Sequence, residues 1–295
     1  MRNEMLELPT NDPTNPIKLA DWLEIISILS PDCDASRGNL ESALRIASFD
    51  GIIDSDDIER KVLDVFNELE QRESAAAHAY PFNIESGVLR LKSAWTNYPA
   101  YVFCLFLSYF GLSETRIAPK LFESISCQAA KRYINGYAVG FGFPRTQLPS
   151  SFSNAVTQLC KLIGEGGQFL DQPSLGSKDD TLDLVAWVEF IDKLPSKILM
   201  FGQCAAGDNW GDKLADLQPS VFWDQWMAES LVSPAPIKSF FIPHRVETDK
   251  WNFICRKAGI VFERCRLAYW AHEGELNFSQ HIKWVQQKIV QQKAN

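Results

Sequence analysis

The sequence predicts an α/β (α+β) protein in two parts. A mainly helical, acidic region covers residues 1–114, and a domain mixing strands with helices covers 115–295 and closes on an amphipathic helix. Three observations carry this. Apolar residues recur at helical spacing through the first hundred or so positions. After Pro173 the pattern shifts to short β-branched and aromatic runs bounded by turn residues. From residue 117 onward the order is helix, hairpin, helix, strand, strand, which is the signature of helices packed on a sheet. A chain that is 46% apolar and 22% charged is a packed globule, which excludes disordered, collagen-like and coiled-coil classes.

Helices are expected at Lys18–Leu29, Asn39–Ser48 and Asp56–Glu73, the last with Ile58, Val62, Leu63, Val65, Phe66 and Leu69 as one stripe beside a charged face. Glu85–Lys92 reads as a short strand. Tyr98–Leu112 reads as a buried helix, since its 15 residues fall short of the ~20 that span a bilayer. A long helix follows over Ile117–Tyr137, then a Gly/Pro/Ser-punctuated loop over Gly140–Ser151 and a helix at Phe152–Ile163 closed by Gly164. Thr181–Asp192 and Lys197–Gly207 are two strands joined by a short polar connection. Trp210–Leu217 and Val221–Leu231 read as helices, Lys238–Pro243 and Gly259–Trp270 as strands, and Ser279–Lys293 as the terminal helix.

The net charge of −8 is unevenly spread. Residues 1–75 hold 17 acidic and 7 basic side chains, while the rest holds 20 and 22. A near-neutral domain can carry a local basic groove, so a polyanion partner is compatible with the total. The acidic region is a candidate dock for a partner protein, or a shield over a basic cleft. Seven cysteines without a CxxC pair, behind a polar N-terminus, fit reduced thiols in the cytoplasm and no membrane partner.

Candidate chemistry collects around the hairpin. Asp183 lies at the start of its first strand and Gln203 at the end of its second, while Glu123 sits on the preceding long helix. Carboxylates and a side-chain carbonyl are hard oxygen donors suited to Mg²⁺ or Mn²⁺, an ion that activates water and neutralises charge on a cleaved phosphodiester. An acidic residue on a helix, Asp on one strand and Glu or Gln–x–Lys on the next, followed by a helix, resembles the PD-(D/E)xK nuclease superfamily, the fold of many restriction endonucleases. The resemblance covers about residues 115–270. It implies a central mixed sheet flanked by helices and a magnesium-dependent nuclease acting on DNA, in restriction or phage defence. Asp183 and Gln203 would be the metal ligands, with Glu123 as the helix acid.

One position departs from the motif: the residue two after Gln203, where the superfamily carries its catalytic lysine, is Ala205. The lysine has moved, with Lys213 the first candidate and Lys178 the second; or the domain is a pseudonuclease that binds nucleic acid or a partner protein; or a substitution has inactivated it. Lys178, Arg245, Arg264 and Arg266 are the candidate nucleic-acid contacts, with the two arginines on one face of a strand, and His244 is placed to reach the same cleft. The tryptophans around Trp210, Trp223 and Trp226 are candidate core or interface anchors, and a second copy of the chain is a further candidate partner.

Overall fold

The structure is a computed structural model and describes residues 6–9, 12, 14–49, 57–112, 117–171, 179–231 and 234–294. Helix α1 (Pro16–Leu29) starts where the Asn15 side chain accepts from the backbone N–H groups of Ile17 and Lys18, with proline in the first turn. Strand β1 (Asp34–Ser36), helices α2 (Arg37–Phe49) and α3 (Ile58–Ala76), and the hairpin β2 (Phe82–Glu85) and β3 (Val88–Leu91) follow. The three strands form a small antiparallel sheet in the order β1-β3-β2. The hairpin turns on Ser86 and Gly87, both at positive φ, the geometry that matches strand twist in a two-residue turn. Helix α4 (Pro99–Phe110) is buried on every side from Ala100 to Leu107.

The second part is built on a five-stranded mixed sheet. Helix α5 (Ile117–Tyr133) leads into β4 (Tyr137–Gly140). Helix α6 (Phe152–Ile163) intervenes before the hairpin β5 (Leu184–Trp187) and β6 (Leu199–Cys204). Helix α7 (Pro219–Trp226) then crosses to β7 (Ile237–Phe241), and α8 (Trp251–Ala258) to β8 (Ile260–Phe262). The order is β4-β5-β6-β7-β8, antiparallel among the first three and parallel among the last three. Helices α9 (Arg264–Ala271) and α10 (Ser279–Ala294) complete the chain. On one face Leu184, Ala186, Met200 and Phe241 join the main core with α5 and α9. On the other, Val139, Val185 and Phe201 pack on Phe152, Leu159, Phe222 and Trp223 of α6 and α7.

Four expectations change. Tyr137–Gly140 is an edge strand, not the tail of a helix. Gly259–Trp270 divides into β8 and α9, because the Glu263 side chain accepts from the N–H groups of Cys265 and Arg266 and caps a helix there. Trp210–Leu217 is a short 3₁₀ turn over Asp208–Lys213. The boundary at 114/115 does not separate two cores: one cluster runs from Leu19 through Phe103 and Phe122 to Val285.

A buried ion network ties the two parts together. Arg72, on α3, donates to Asp21 (2.7 Å), Glu24 (2.8 Å) and Glu68 (2.7 Å), and Arg264 of α9 forks onto both oxygens of Asp21 at 2.7 and 2.8 Å. Arg245 bridges Glu68 and Glu263 at 3.0 and 2.8 Å. Tyr80 and Tyr101 donate their hydroxyls to Glu24. Burial opposes the charge on Asp21, but Arg264 and Arg72 hold its carboxyl below the usual range. At Glu24 burial wins and the carboxyl is raised despite the two guanidinium groups. Removing one partner strands the others without water. Arg72→Met and Arg264→Met should each cost about 3–5 kcal/mol in urea unfolding. Breaking the exposed Arg90–Asp34 pair, where Arg90 is 65% exposed, should cost at most about 1 kcal/mol.

Candidate active site

The geometry of the site is set by a β-bulge. Leu184 pairs with Gly202, and the N–H of Asp183 also donates to Gly202 O at 2.9 Å, so two consecutive residues stand against one. On the other side, the N–H groups of Phe141 and Gly142 both donate to Asp183 O, at 2.7 and 2.9 Å. The bulge turns the Asp183 side chain toward α5, on the face of Leu184, while Leu182 enters the opposite cluster. There Asp183 Oδ2 accepts from the Cys204 N–H at 2.7 Å.

Glu123, on α5, meets Asp183 across Gly142. A methyl group on Gly142 would stand 2.7 Å from Asp183 Oδ1 and 2.8 Å from Glu123 Oε2, so the two oxygens close over a residue that has no side chain. Lys120, one turn earlier on α5, donates from Nζ to Glu123 Oε2 at 2.5 Å and to Gly142 O at 2.8 Å. Asp179 lies at the rim, its Oδ2 accepting from Phe143 N–H at 3.2 Å. Burial, then the neighbouring Glu123 charge, pushes the Asp183 carboxyl well above the usual carboxylate range. Burial also raises Glu123, against the opposing pull of Lys120. The result is a pair of coupled carboxyl groups with one ammonium as counter-charge.

Gln203 does not join them. In unbroken pairing Asp183 and Gln203 would face each other on one side of the sheet, and the bulge breaks that alternation. Phe201, Gln203 and Ala205 point away from α5: Phe201 lies in the α6–α7 cluster, Gln203 Oε1 accepts from Leu217 N–H at 3.4 Å, and Ala205 packs with Leu214 and Phe240. Lys213 precedes Leu214 on that far side and forms no ion pair with Asp183 or Glu123. The lysine beside the carboxylates is Lys120, which the sequence signals only as an i, i+3 partner of Glu123. Among the described residues, no group of three or more His, Cys, Asp or Glu side chains is arranged to hold a metal.

No family model, curated protein or solved structure matches this chain. Its site rests on its own geometry.

The expected nucleic-acid contacts divide. Arg264 is fully buried in the ion network and cannot reach a phosphate, while Arg245 pairs with Glu68 and Glu263 and lines the cleft beside His244; moreover Arg264 and Arg266 lie on a helix, not a strand. Arg266 is exposed, stacks 4.4 Å from the Trp251 ring centre and donates to Val261 O. Lys178 lies outside the described residues. Trp223 and Trp226 are core residues and offer no Trp-rich surface. Of the 17 acidic side chains in residues 1–75, Asp21, Glu24 and Glu68 pair with internal arginines, while Glu59, Asp64 and Glu70 are exposed. His244 bonds Ser108 at 2.9 Å and stacks on Trp210, lining a cleft of about 1800 Å³ whose walls include neither Glu123 nor Asp183. The seven cysteines are free thiols, and no described helix is long and apolar enough to cross a membrane.

Helix α10 braces the site from behind. His281 is buried, with Nε2 3.0 Å from Leu121 O and 3.1 Å from Ser124 Oγ, on the turn of α5 that carries Glu123, and its Nδ1 has no partner. Burial holds its pKa below 6.5, with only partial compensation from Leu121. The unfolded chain therefore takes up a proton that the folded chain refuses. His281 contributes stability above pH 6.5, and that contribution falls as pH drops below it. Urea midpoints at pH 7.5 and 5.5 should separate less in His281→Gln than in the parent protein, where His244 and His272 act in both.

Proposed function

We propose that the protein is a metal-dependent nuclease hydrolysing phosphodiester bonds of DNA at a site formed by Glu123, Asp183 and Lys120. The observation that carries this reading is the closure of the two carboxylates over Gly142 beside the Lys120 ammonium. The donor set fits Mg²⁺ or Mn²⁺, which are commonly held by one or two carboxylates, with water and substrate phosphate filling the shell. A bound dication would supply the polarisation of a phosphate oxygen and the acidification of a water molecule.

The chain's own residues do the rest. Asp183 is fixed by the Cys204 N–H, which leaves Oδ1 facing Glu123 across the gap. Glu123 supplies the second oxygen. Lys120 takes the part of the lysine missing at Ala205, an ammonium placed to neutralise a phosphate oxygen at the rim. The order of α5, the hairpin β5-β6 and α7 supports the reading further, since the motif places its acid on a helix and its next positions on two strands followed by a helix. Restriction or phage defence is the setting that this chemistry suggests.

A second reading has its own support. The β6 residues on the face toward α5 are Met200, Gly202 and Cys204, with neither a carboxylate nor a cation among them, as in a pseudonuclease that binds without cutting. Plasmid cleavage with Mg²⁺ or Mn²⁺ decides between the two. Glu123→Gln, Asp183→Asn and Lys120→Ala should each lose about a hundredfold or more in rate. Gly142→Ala should lose activity with little change in melting temperature, and Gln203→Ala should stay within a few-fold of wild type. No cleavage by the wild type, with DNA bound equally by Asp183→Asn, would move the protein to the binding class.

A further inference from the structure

The connection between β5 and β6 buries one lysine and presents an apolar tip. Asp192, Lys193 and Ser196 are exposed, and Lys197 turns inward. Lys197 is 2% exposed and donates to Glu189 at 2.7 Å, Glu189 also accepts from the Trp187 indole at 3.2 Å, and Glu165, itself buried, accepts from the Lys197 N–H. Its apolar side chains turn outward: Phe190 is 54% exposed, Ile191 104%, Leu194 60% and Ile198 49%. Exposing four large apolar side chains forfeits their transfer energy, a cost that falls when the tip is covered. Lys193 and Ser196 take positive φ values of 57° and 75° within the same loop, and the Lys193 N–H donates to Phe190 O, so the tip is a defined turn.

We propose that this hairpin tip is the interface between two copies of the chain, packed about a two-fold axis. Two features select a second copy as the occupant. The tip reads Ile191–Asp192–Lys193–Leu194, an acid and a base side by side between apolar residues, and both charges are exposed. Across a two-fold axis, Asp192 of each copy faces Lys193 of the other, so the surface complements itself. A partner of one charge sign would be repelled by one of the two. The area also suffices. At about 190 Å² for a fully exposed large side chain, the four apolar residues present roughly 500 Å² per copy, so the pair buries about 1000 Å², the threshold for a specific interface.

Sedimentation equilibrium of the full chain from 1 to 100 μM tests this. The wild type should dimerise in that range. Ile191→Asp and Leu194→Asp should be monomeric with unchanged circular dichroism and melting temperature, since neither side chain is in the core. Lys193→Glu, which sets like charges across the axis, should weaken the dimer at least tenfold. A wild type that stays monomeric to 100 μM overturns the proposal. So does a dimer indifferent to Ile191→Asp and Leu194→Asp. If the monomeric wild type instead sediments with anionic phospholipid vesicles and Ile191→Asp does not, the tip is a membrane-contact surface and the dimer is rejected. The outcome is independent of whether the Glu123–Asp183 site cleaves DNA.

Discussion

The fold hangs on a buried cluster of three guanidinium groups. Arg72, Arg245 and Arg264 sit among Asp21, Glu24, Glu68 and Glu263, and no side chain of the cluster is more than 10% exposed. Such a network is stable only when every member is present, so α1, α3 and α9 are locked in one arrangement. Helix α9 in turn packs along α5, the helix that carries Lys120 and Glu123. A constraint that begins in the N-terminal acidic helices therefore ends at the candidate active site. Three of that region's acidic side chains, Asp21, Glu24 and Glu68, are internal mortar.

The site itself trades stability for proximity. Two carboxylates brought together over Gly142 repel each other and lose solvation, which is why both titrate above their usual range. Lys120 offsets that cost only in part, and a cation held there, as proposed above, would offset more of it. The bulge at Asp183 creates the arrangement. It breaks the two-residue alternation at the one place where an acidic side chain must point toward α5 instead of α7. The five-stranded sheet is regular elsewhere along this hairpin, and its one irregularity places Asp183 beside Glu123.

Much of this was legible in the sequence, and the failures have physical causes. Phe152–Ile163 was readable to the residue because Ser151 caps it and Gly164 ends it in a left-handed conformation. Asp183 and Glu123 stood out by residue type and element order. Gln203 did not survive, because a bulge leaves no signature in composition and a single extra residue inverts the face. Lys120 went unread because the motif directs attention to the strand, whereas the partner lay one helical turn from Glu123. Arg264 and Arg245 looked like surface cations because their partners are 243 and 177 residues away in sequence. Local pattern holds no record of such contacts.

The central claim is that Glu123 and Asp183, and not Gln203, form one cation site. A crystal structure of the protein with Mn²⁺, phased on the metal's anomalous signal, tests it most directly. The account predicts one peak within about 2.2 Å of carboxylate oxygens from both Glu123 and Asp183, with Lys120 beside it and Gln203 on the far face of β6. A peak bound to Gln203, or none between the two carboxylates at saturating Mn²⁺, would contradict it.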